Sequence, residues 1–277
     1  MPDQKTPVVF IHGLWLHAQS WKDWIDFFRE AGYAPIAPSW PGIPDTVAET
    51  RAHPEGMAGK GIADVADHYA RIIATLPAKP IVIGHSFGGL IAQNLLGRGL
   101  AAAAIAIDAA PIKGVLPVPL SALRVAFVAL KNPANNKRAV SLTPGEFRYG
   151  FANTVSDREA TELYERWTIP APGRPLFQAA FANVNPKAES KVETGNAERG
   201  PLLLIAGEKD HTAPPAITRA SYQHQQRNPG VTEMAEMPGR GHALVIDNRW
   251  REVADTALAF VQRFTSPQPT QTEPAVS

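Results

Sequence analysis

The chain has 277 residues, with 27 lysines and arginines against 26 aspartates and glutamates, which gives a formal net charge of +1 at pH 7. This length fits one domain with an inserted subdomain, and the balanced charge points to neither a nucleic-acid partner nor an anionic membrane. The chain has no cysteine, which excludes disulfides, thiolate metal sites and a cysteine nucleophile. The start has no apolar segment typical of a signal peptide or membrane span, so we expect a cytoplasmic protein that does not cross a membrane.

Six apolar runs of strand length alternate with longer helical patterns along the chain. The runs cover residues 8–11, 33–37, 81–83, 103–107, 202–206 and 231–236, and a last helical pattern covers about 250–264. Such alternation is typical of βαβ units wound into a parallel sheet. The sequence therefore predicts an α/β fold with a mostly parallel sheet of about six strands flanked by helices.

The strand pattern is interrupted for about 90 residues. Residues 111–199 carry helical stretches and proline-rich connections instead, as expected of a subdomain inserted between two strands. We therefore expect residues 1–110 and 200–265 to form the core and residues 111–199 to form a helical cap. Residues 266–277 are rich in Pro, Thr and Gln and have little to bury, which predicts a disordered tail.

A glycine-rich turn follows the third predicted strand. Its sequence, Gly84-His85-Ser86-Phe87-Gly88-Gly89, opens the next predicted helix. Small residues two positions before and after a serine let strand and helix pass closely enough for a sharp, strained turn. The turn would present the hydroxyl at the positive end of the helix, so Ser86 is the predicted nucleophile.

A serine hydroxyl needs a base within hydrogen-bond reach and a carboxylate to orient that base. Downstream, the fifth predicted strand runs into Asp210 and the sixth leads to His242. Both loops follow the carboxyl ends of strands, where α/β sheets bind ligands. We predict His242 as the base and Asp210 as the acid, and Asp108, which ends the fourth strand, remains an alternative acid.

Acyl transfer also requires two donors aimed at the developing oxyanion. We expect them to be the backbone N–H groups of Phe87 and Leu14, with Trp15 as the neighbouring candidate for the second. The side chains of Trp15 and Trp40 follow strand ends, where they could line an apolar substrate pocket or serve only in packing.

No metal or cofactor is expected. The sequence contains neither a His-Glu-x-x-His motif nor a comparable ligand cluster, and it lacks the glycine-rich motifs that bind dinucleotides or phosphates. The predicted partners are a small-molecule ester and water, and the oligomeric state is left open.

Four motifs of the chain are His12-Gly13, the turns at 84–89 and 207–210, and Gly241-His242. In these motifs the chain resembles the α/β-hydrolase superfamily, over about residues 7–264. The resemblance implies a Ser-His-Asp mechanism without a cofactor, in which water hydrolyses an acyl-enzyme. The chain departs from the family pattern by beginning at what would be its third strand, which predicts an all-parallel sheet. Ser39-Trp40-Pro41-Gly42-Ile43-Pro44 also replaces the usual Asp-x-x-Gly-x-Gly.

The chemistry expected first is carboxylic-ester hydrolysis. The same three residues serve lactonases, amidases, C–C bond hydrolases and cofactor-free haloperoxidases, which the fold cannot separate. A protein of this fold that only binds a small molecule is the alternative from another class. The full set of Ser86, Asp210 and His242 favours an enzyme.

Overall fold

A parallel six-stranded sheet lies at the centre of the computed structural model, which describes residues 5–265. The strands of the chain are β1 (Pro7–Ile11), β2 (Ala34–Ile36), β3 (Ile81–His85), β4 (Ala103–Ile107), β5 (Ala139–Val140), β6 (Ala171–Pro172), β7 (Leu202–Gly207) and β8 (Thr232–Met237). The central sheet has the order β2-β1-β3-β4-β7-β8, and every neighbouring pair is parallel. The predicted six-stranded sheet is confirmed.

Helices cover both faces of this sheet. They are α1 (Lys22–Glu30), α2 (Val47–Ala52), α3 (Ile62–Ala74), α4 (Phe87–Gly97), α5 (Leu120–Leu130), α6 (Pro144–Gly150), α7 (Asp157–Trp167), α8 (Arg174–Ala180), α9 (Pro215–Gln225) and α10 (Trp250–Thr265). None of the helices in the described residues is long and apolar enough to cross a bilayer.

The core is divided by the sheet. Along β1, Val9 and Ile11 pack into one apolar cluster with residues of α3 and α4, whereas Val8 and Phe10 pack into the other with residues of α1 and α10. Strands buried on both faces read as continuous apolar runs, because side chains alternate between two hydrophobic layers. This explains why β1, β3, β4 and β7 were recognisable from composition.

The segment between β4 and β7, called here the β4–β7 segment (residues 108–201), contains α5 to α8. It also contains the short antiparallel pair of β5 and β6, in which Ala139 lies opposite Pro172. The sequence predicted helices but no strand here, since two-residue strands are too short to show an alternating pattern. A second short element, α2, lies between β2 and α3, where Thr46 caps it by accepting from the Glu49 N–H at 3.2 Å.

The parallel strands bring several loops to one edge of the sheet. The turns that follow β1, β3, β4, β7 and β8 all leave at the carboxyl ends of these strands, where the predicted site residues lie. The tail predicted at residues 266–277 lies outside the described residues.

Candidate active site

Ser86 occupies a strained turn between β3 and α4. Its backbone has φ 57° and ψ −123°, and among the described residues only Trp15, Ser86 and Asp108 are non-glycine residues with positive φ. All three follow strand ends at the same edge of the sheet. Such strain concentrates at functional sites, because the surrounding structure must hold it in place.

Glycines make the turn possible. A Cβ on Gly84 would lie 2.0 Å from the carbonyl oxygen of Gly88, and a Cβ on Gly88 would lie 2.1 Å from that of Ile11. Gly13, in the loop after β1, approaches Ser86 so closely that an added Cβ would lie 3.2 Å from Oγ. The backbone of the first loop therefore packs directly against the serine.

His242 and Asp210 form a direct pair. Nδ1 of His242 lies 2.6 Å from Oδ2 of Asp210, and both side chains are fully buried. The other carboxylate oxygen accepts from the backbone N–H groups of Thr212 at 2.6 Å and Ala213 at 3.0 Å. Because a carboxylate only accepts, the neutral imidazole holds its proton on Nδ1 and leaves Nε2 as the basic nitrogen. Nε2 has no hydrogen-bond partner among the described residues.

Asp108, the alternative acid, lies beside this pair. Its Oδ1 accepts from the Gly207 N–H at 2.6 Å, and its Oδ2 lies 3.8 Å from Nδ1 of His242. Burial and the negative charge of Asp210 raise the pKa of Asp108 well above its ordinary value. Asp108 therefore favours the neutral form and holds the start of the loop that carries Asp210.

Two further histidines support the site through backbone contacts. His85 packs against His242 with 4.5 Å between ring centroids, and its Nε2–H donates to the His242 carbonyl at 2.9 Å. Nδ1 of His12 donates to the Gly13 carbonyl at 2.8 Å, and Nε2 accepts from the Trp40 N–H at 3.2 Å. Burial lowers the pKa of His12 to about 3 and that of His85 well below its ordinary value, so both are neutral at pH 7.

The predicted oxyanion donors are free. No acceptor for the backbone N–H groups of Leu14 and Phe87 is found among the residues that the structure describes. Phe87 is the first residue of α4, where an N–H has no partner within the helix. Both residues are buried, at 2% and 6% exposure. These groups are available to a ligand oxygen.

Ser86 opens into an apolar cavity of about 240 Å³. Ser86, Asn183 and Thr212 are polar among the residues that line it, and none of the lining residues is charged. Trp15 lines the cavity and donates from Nε1 to the Val140 carbonyl at 3.0 Å. Trp40 is not among the lining residues: its ring stacks on His12 and donates from Nε1 to the His12 carbonyl at 3.0 Å.

Most of the cavity wall comes from residues that the sequence did not indicate. The β4–β7 segment supplies Ile112, Val115 and one side of α5. The unusual sequence of α5, Leu-Ser-Ala-Leu-Arg-Val-Ala-Phe-Val-Ala-Leu, was the available signal, because it lacks a continuous polar face.

Arg240 was also missed. It is 2% exposed, pairs with buried Asp247 and donates to the carbonyls of Leu244 at 3.2 Å and Arg249 at 3.0 Å. These contacts fix both sides of the loop that carries His242.

His85, Asp108 and His242 could together offer ligand atoms to a cation, since one such atom from each lies within 4.8 Å of the others. His242 Nδ1 is engaged by Asp210 and His85 Nε2 by a carbonyl, whereas His242 Nε2, His85 Nδ1 and Asp108 Oδ2 have no hydrogen-bond partner among the described residues. The expectation that no metal is required stays a prediction.

Comparisons with known proteins agree with this architecture. The model of the family described as "Alpha/beta hydrolase family" matches residues 8–256, and no curated protein matches the chain. Among solved structures, a monoacylglycerol lipase from Paleococcus ferrophilus is 20% identical, with a TM-score of 0.69 over 94% of this chain and 97% of that one.

Two other solved structures are similar to the same extent. A thermophilic esterase from Thermogutta terrifontis is 18% identical, with a TM-score of 0.66 over 94% of this chain and 91% of that one. A protein from Mycobacterium tuberculosis H37Rv, assigned as the non-heme bromoperoxidase BpoC, is 20% identical, with a TM-score of 0.68 over 95% and 94% of the two chains. At these identities the likeness concerns the fold.

Proposed function

The chain belongs to the alpha/beta hydrolase family, and we propose that it is a serine hydrolase that cleaves a small or medium, largely apolar carboxylic ester. The observation that carries the proposal is the 2.6 Å contact between His242 Nδ1 and Asp210 Oδ2, in a site where Ser86 is held on a strained turn. A purely binding protein would have no need for a buried acid that fixes the tautomer of a base.

In the proposed reaction, Ser86 Oγ attacks the ester carbonyl while His242 Nε2 takes the hydroxyl proton. The N–H groups of Leu14 and Phe87 stabilise the resulting oxyanion. His242 then returns the proton to the leaving alcohol, which departs and leaves the acyl group on Ser86. Water, deprotonated by the same nitrogen, attacks the acyl-enzyme, and that nitrogen returns the proton to Ser86 Oγ as the acid is released.

The cavity supports an apolar substrate of modest size. Its volume of about 240 Å³ is below the range of about 300–1,000 Å³ that is common for drug-sized ligands, and its wall carries no charge. We propose that residues 111–199 act as a cap that selects the substrate over a core of residues 1–110 and 200–265. This assignment rests on the cavity residues supplied by both parts.

Lactonase, amidase, C–C hydrolase and haloperoxidase chemistry remain candidates on the same residues. The similar solved structures are compatible with ester hydrolysis and with haloperoxidase chemistry, since they include esterases and a protein assigned as a bromoperoxidase. Ester hydrolysis is favoured because the uncharged cavity and the free N–H pair suit a neutral acyl group.

The test is hydrolysis of p-nitrophenyl esters from acetyl to palmitoyl by the unmodified protein and by Ser86→Ala. We expect turnover that peaks at one acyl length and is lost in the variant, together with fluorophosphonate labelling at Ser86. Ser141→Ala, at an exposed serine, is the matched control and should keep both properties. Turnover without dependence on Ser86 would refute the proposal, and tight ligand binding without turnover would favour the binding-protein alternative.

A further inference from the structure

Large apolar side chains are exposed mainly around the mouth of the cavity. Of the nine large hydrophobic residues with substantial exposure in the described chain, seven lie in two stretches of the β4–β7 segment. These seven, called here the apolar rim, are Leu116, Val118, Leu120, Leu123, Phe127, Phe181 and Val184. Apolar patches of this kind mark interaction sites, since exposing them to water is unfavourable.

Helix α5 is apolar on two opposite sides. Leu120, Leu123 and Phe127 follow the three- and four-residue spacing of one helix face and are 84%, 46% and 59% exposed. The other side buries Val125 and Val128 against the protein. A helix at a water-facing surface carries polar residues on its outer side, so α5 presents a face suited to an apolar partner.

The two stretches of the rim form one surface. Asn183 connects them, because its Oδ1 accepts from the Gly114 N–H at 2.8 Å and its Nδ2 donates to the Val115 carbonyl at 2.9 Å. Val118 and Leu123 belong to the rim and also line the cavity that contains Ser86. The cavity therefore opens within the apolar rim.

Basic residues predominate in the two stretches of sequence that carry the rim, and Glu146, which directly follows the first stretch, lines a groove with Arg124, Phe127 and Lys131. Residues 109–145 and 175–188 contain no aspartate or glutamate, and their basic residues are Lys113, Arg124, Lys131, Lys137, Arg138 and Lys187. Within residues 5–265, none of these six cations lies within ion-pair distance of a carboxylate. The near-zero net charge of the whole chain hides this local excess.

We propose that the apolar rim docks onto an anionic lipid surface. Leu120, Phe127 and Phe181 would enter the interface while the lysines and arginines of the two stretches contact anionic headgroups, as expected for an amphipathic surface that lies on a membrane. The net charge of the whole chain gave no reason to expect an anionic membrane as a partner. The clustering of basic residues near the apolar rim is the reason to propose one. If the chain is an ester hydrolase as proposed above, its substrate enters the cavity from the lipid.

The first test is co-sedimentation of Ser86→Ala protein with phosphatidylcholine vesicles that contain or lack phosphatidylglycerol. Docking predicts binding to the vesicles with phosphatidylglycerol, and weaker binding as salt is raised. Equal binding to both vesicle types, or none to either, would overturn the assignment to an anionic surface.

Two double variants separate the apolar and electrostatic contributions. Leu120→Ser with Phe127→Ser should weaken vesicle binding by at least about tenfold, because two apolar side chains no longer enter the interface. Lys131→Gln with Lys187→Gln should weaken it by roughly 30-fold, the effect of removing two cations near a charged surface.

The matched control is Val231→Ser. Val231 is an apolar residue 41% exposed, directly before β8 and at the end of the sheet opposite the cavity. This variant should bind as tightly as the parent. Sedimentation velocity without lipid should give the same mass for the parent and for Leu120→Ser/Phe127→Ser. A dimer that dissociates in this double variant would overturn the proposal and assign the rim to a second copy of the chain.

Activity distinguishes this proposal from the esterase proposal. When Ser86 is left unchanged, the Leu120→Ser/Phe127→Ser variant should hydrolyse a water-soluble short ester as fast as the unmodified protein, since neither residue lines the cavity. Vesicle binding without esterase activity would refute the proposed function alone, and activity without vesicle binding would refute the docking surface alone.

Discussion

Oδ2 of Asp108 lies 3.8 Å from Nδ1 of His242, too far for a hydrogen bond. Asp210 reaches the same nitrogen at 2.6 Å and is itself held by two backbone N–H groups. The two aspartates, both at strand ends, therefore have different environments: one orients the imidazole, and the other anchors the loop that begins at Gly207.

This difference predicts opposite results for two isosteric substitutions. Asp210→Asn should lower kcat by about 10⁴-fold, the loss seen when the acid of a serine-protease triad is replaced by its amide. Asp108→Asn should stay within about fivefold of the parent, because the raised pKa of Asp108 favours the neutral form and an asparagine oxygen can still accept from Gly207. Steady-state kinetics on one p-nitrophenyl ester compares them, and a larger loss for Asp108→Asn than for Asp210→Asn would make Asp108 the acid.

The glycines of the turn provide a second prediction. Gly88→Ala would place a Cβ 2.1 Å from the Ile11 carbonyl oxygen, so β1 and α4 must separate. We expect a loss of about 3 kcal/mol in the free energy of unfolding and a large loss of activity.

Gly145→Ala is the matched control. It lies within α6 and has open space around its Cα, so the substitution should be neutral or stabilise by up to about 1 kcal/mol. Urea unfolding measures both variants, and a Gly88→Ala protein as stable and active as the parent would contradict the described turn.

The sequence was sufficient for some of these features. Strands buried on both faces, such as β3 and β4, were visible as apolar runs, and Ser86 was recognisable because its glycines are required by local sterics. The order of Asp210 and His242, whose side chains are in contact, followed from the order of the strands that precede them.

Other features depend on the path of loops in space. The choice between Asp108 and Asp210 rests on about an ångström, which residue spacing does not determine. The exposed apolar face of α5 is equally invisible from sequence, since an apolar helix is normally expected to be buried. The burial of Arg240 depends on its pairing with Asp247, seven residues further along the chain, which the sequence does not reveal.

Arg240 gives a third prediction. Arg240→Met leaves Asp247 buried without its cation and removes two donors to carbonyls near His242. Breaking a buried pair in this way should lower the free energy of unfolding by about 3–5 kcal/mol. Activity should fall as well, because the loop that carries His242 loses its anchor.

Arg158→Met is the comparison for this variant. Arg158 pairs with Glu162 at 2.8 Å, but the two side chains are 88% and 61% exposed. A solvated pair of this kind is worth well under about 1 kcal/mol, so urea unfolding should give a midpoint close to that of the parent. Similar losses in both variants would show that burial of Arg240 contributes little.

The buried histidines give a pH dependence of stability. Burial lowers the pKa of His12 to about 3 and that of His85 well below its ordinary value, whereas both would have pKa values of about 6.5 in the unfolded chain. As the pH falls below about 6.5, these two histidines therefore bind protons in the unfolded chain but stay neutral in the folded protein. Stability that is fully present above pH 6.5 is lost on acidification, with a slope approaching about 2.7 kcal/mol per pH unit for two protons.

Urea unfolding between pH 7.5 and pH 5 measures this slope. The variant His12→Asn tests whether His12 contributes half of it. The variant lacks one of the two titrating imidazoles, so its slope should fall by about 1.4 kcal/mol per pH unit even if its stability at pH 7.5 is lower than that of the parent. His53→Asn is the control, since it removes an exposed histidine instead of a buried one. An unaltered slope in His12→Asn would mean that His12 accepts a proton within the folded protein and that its contacts with Gly13 and Trp40 do not hold it neutral.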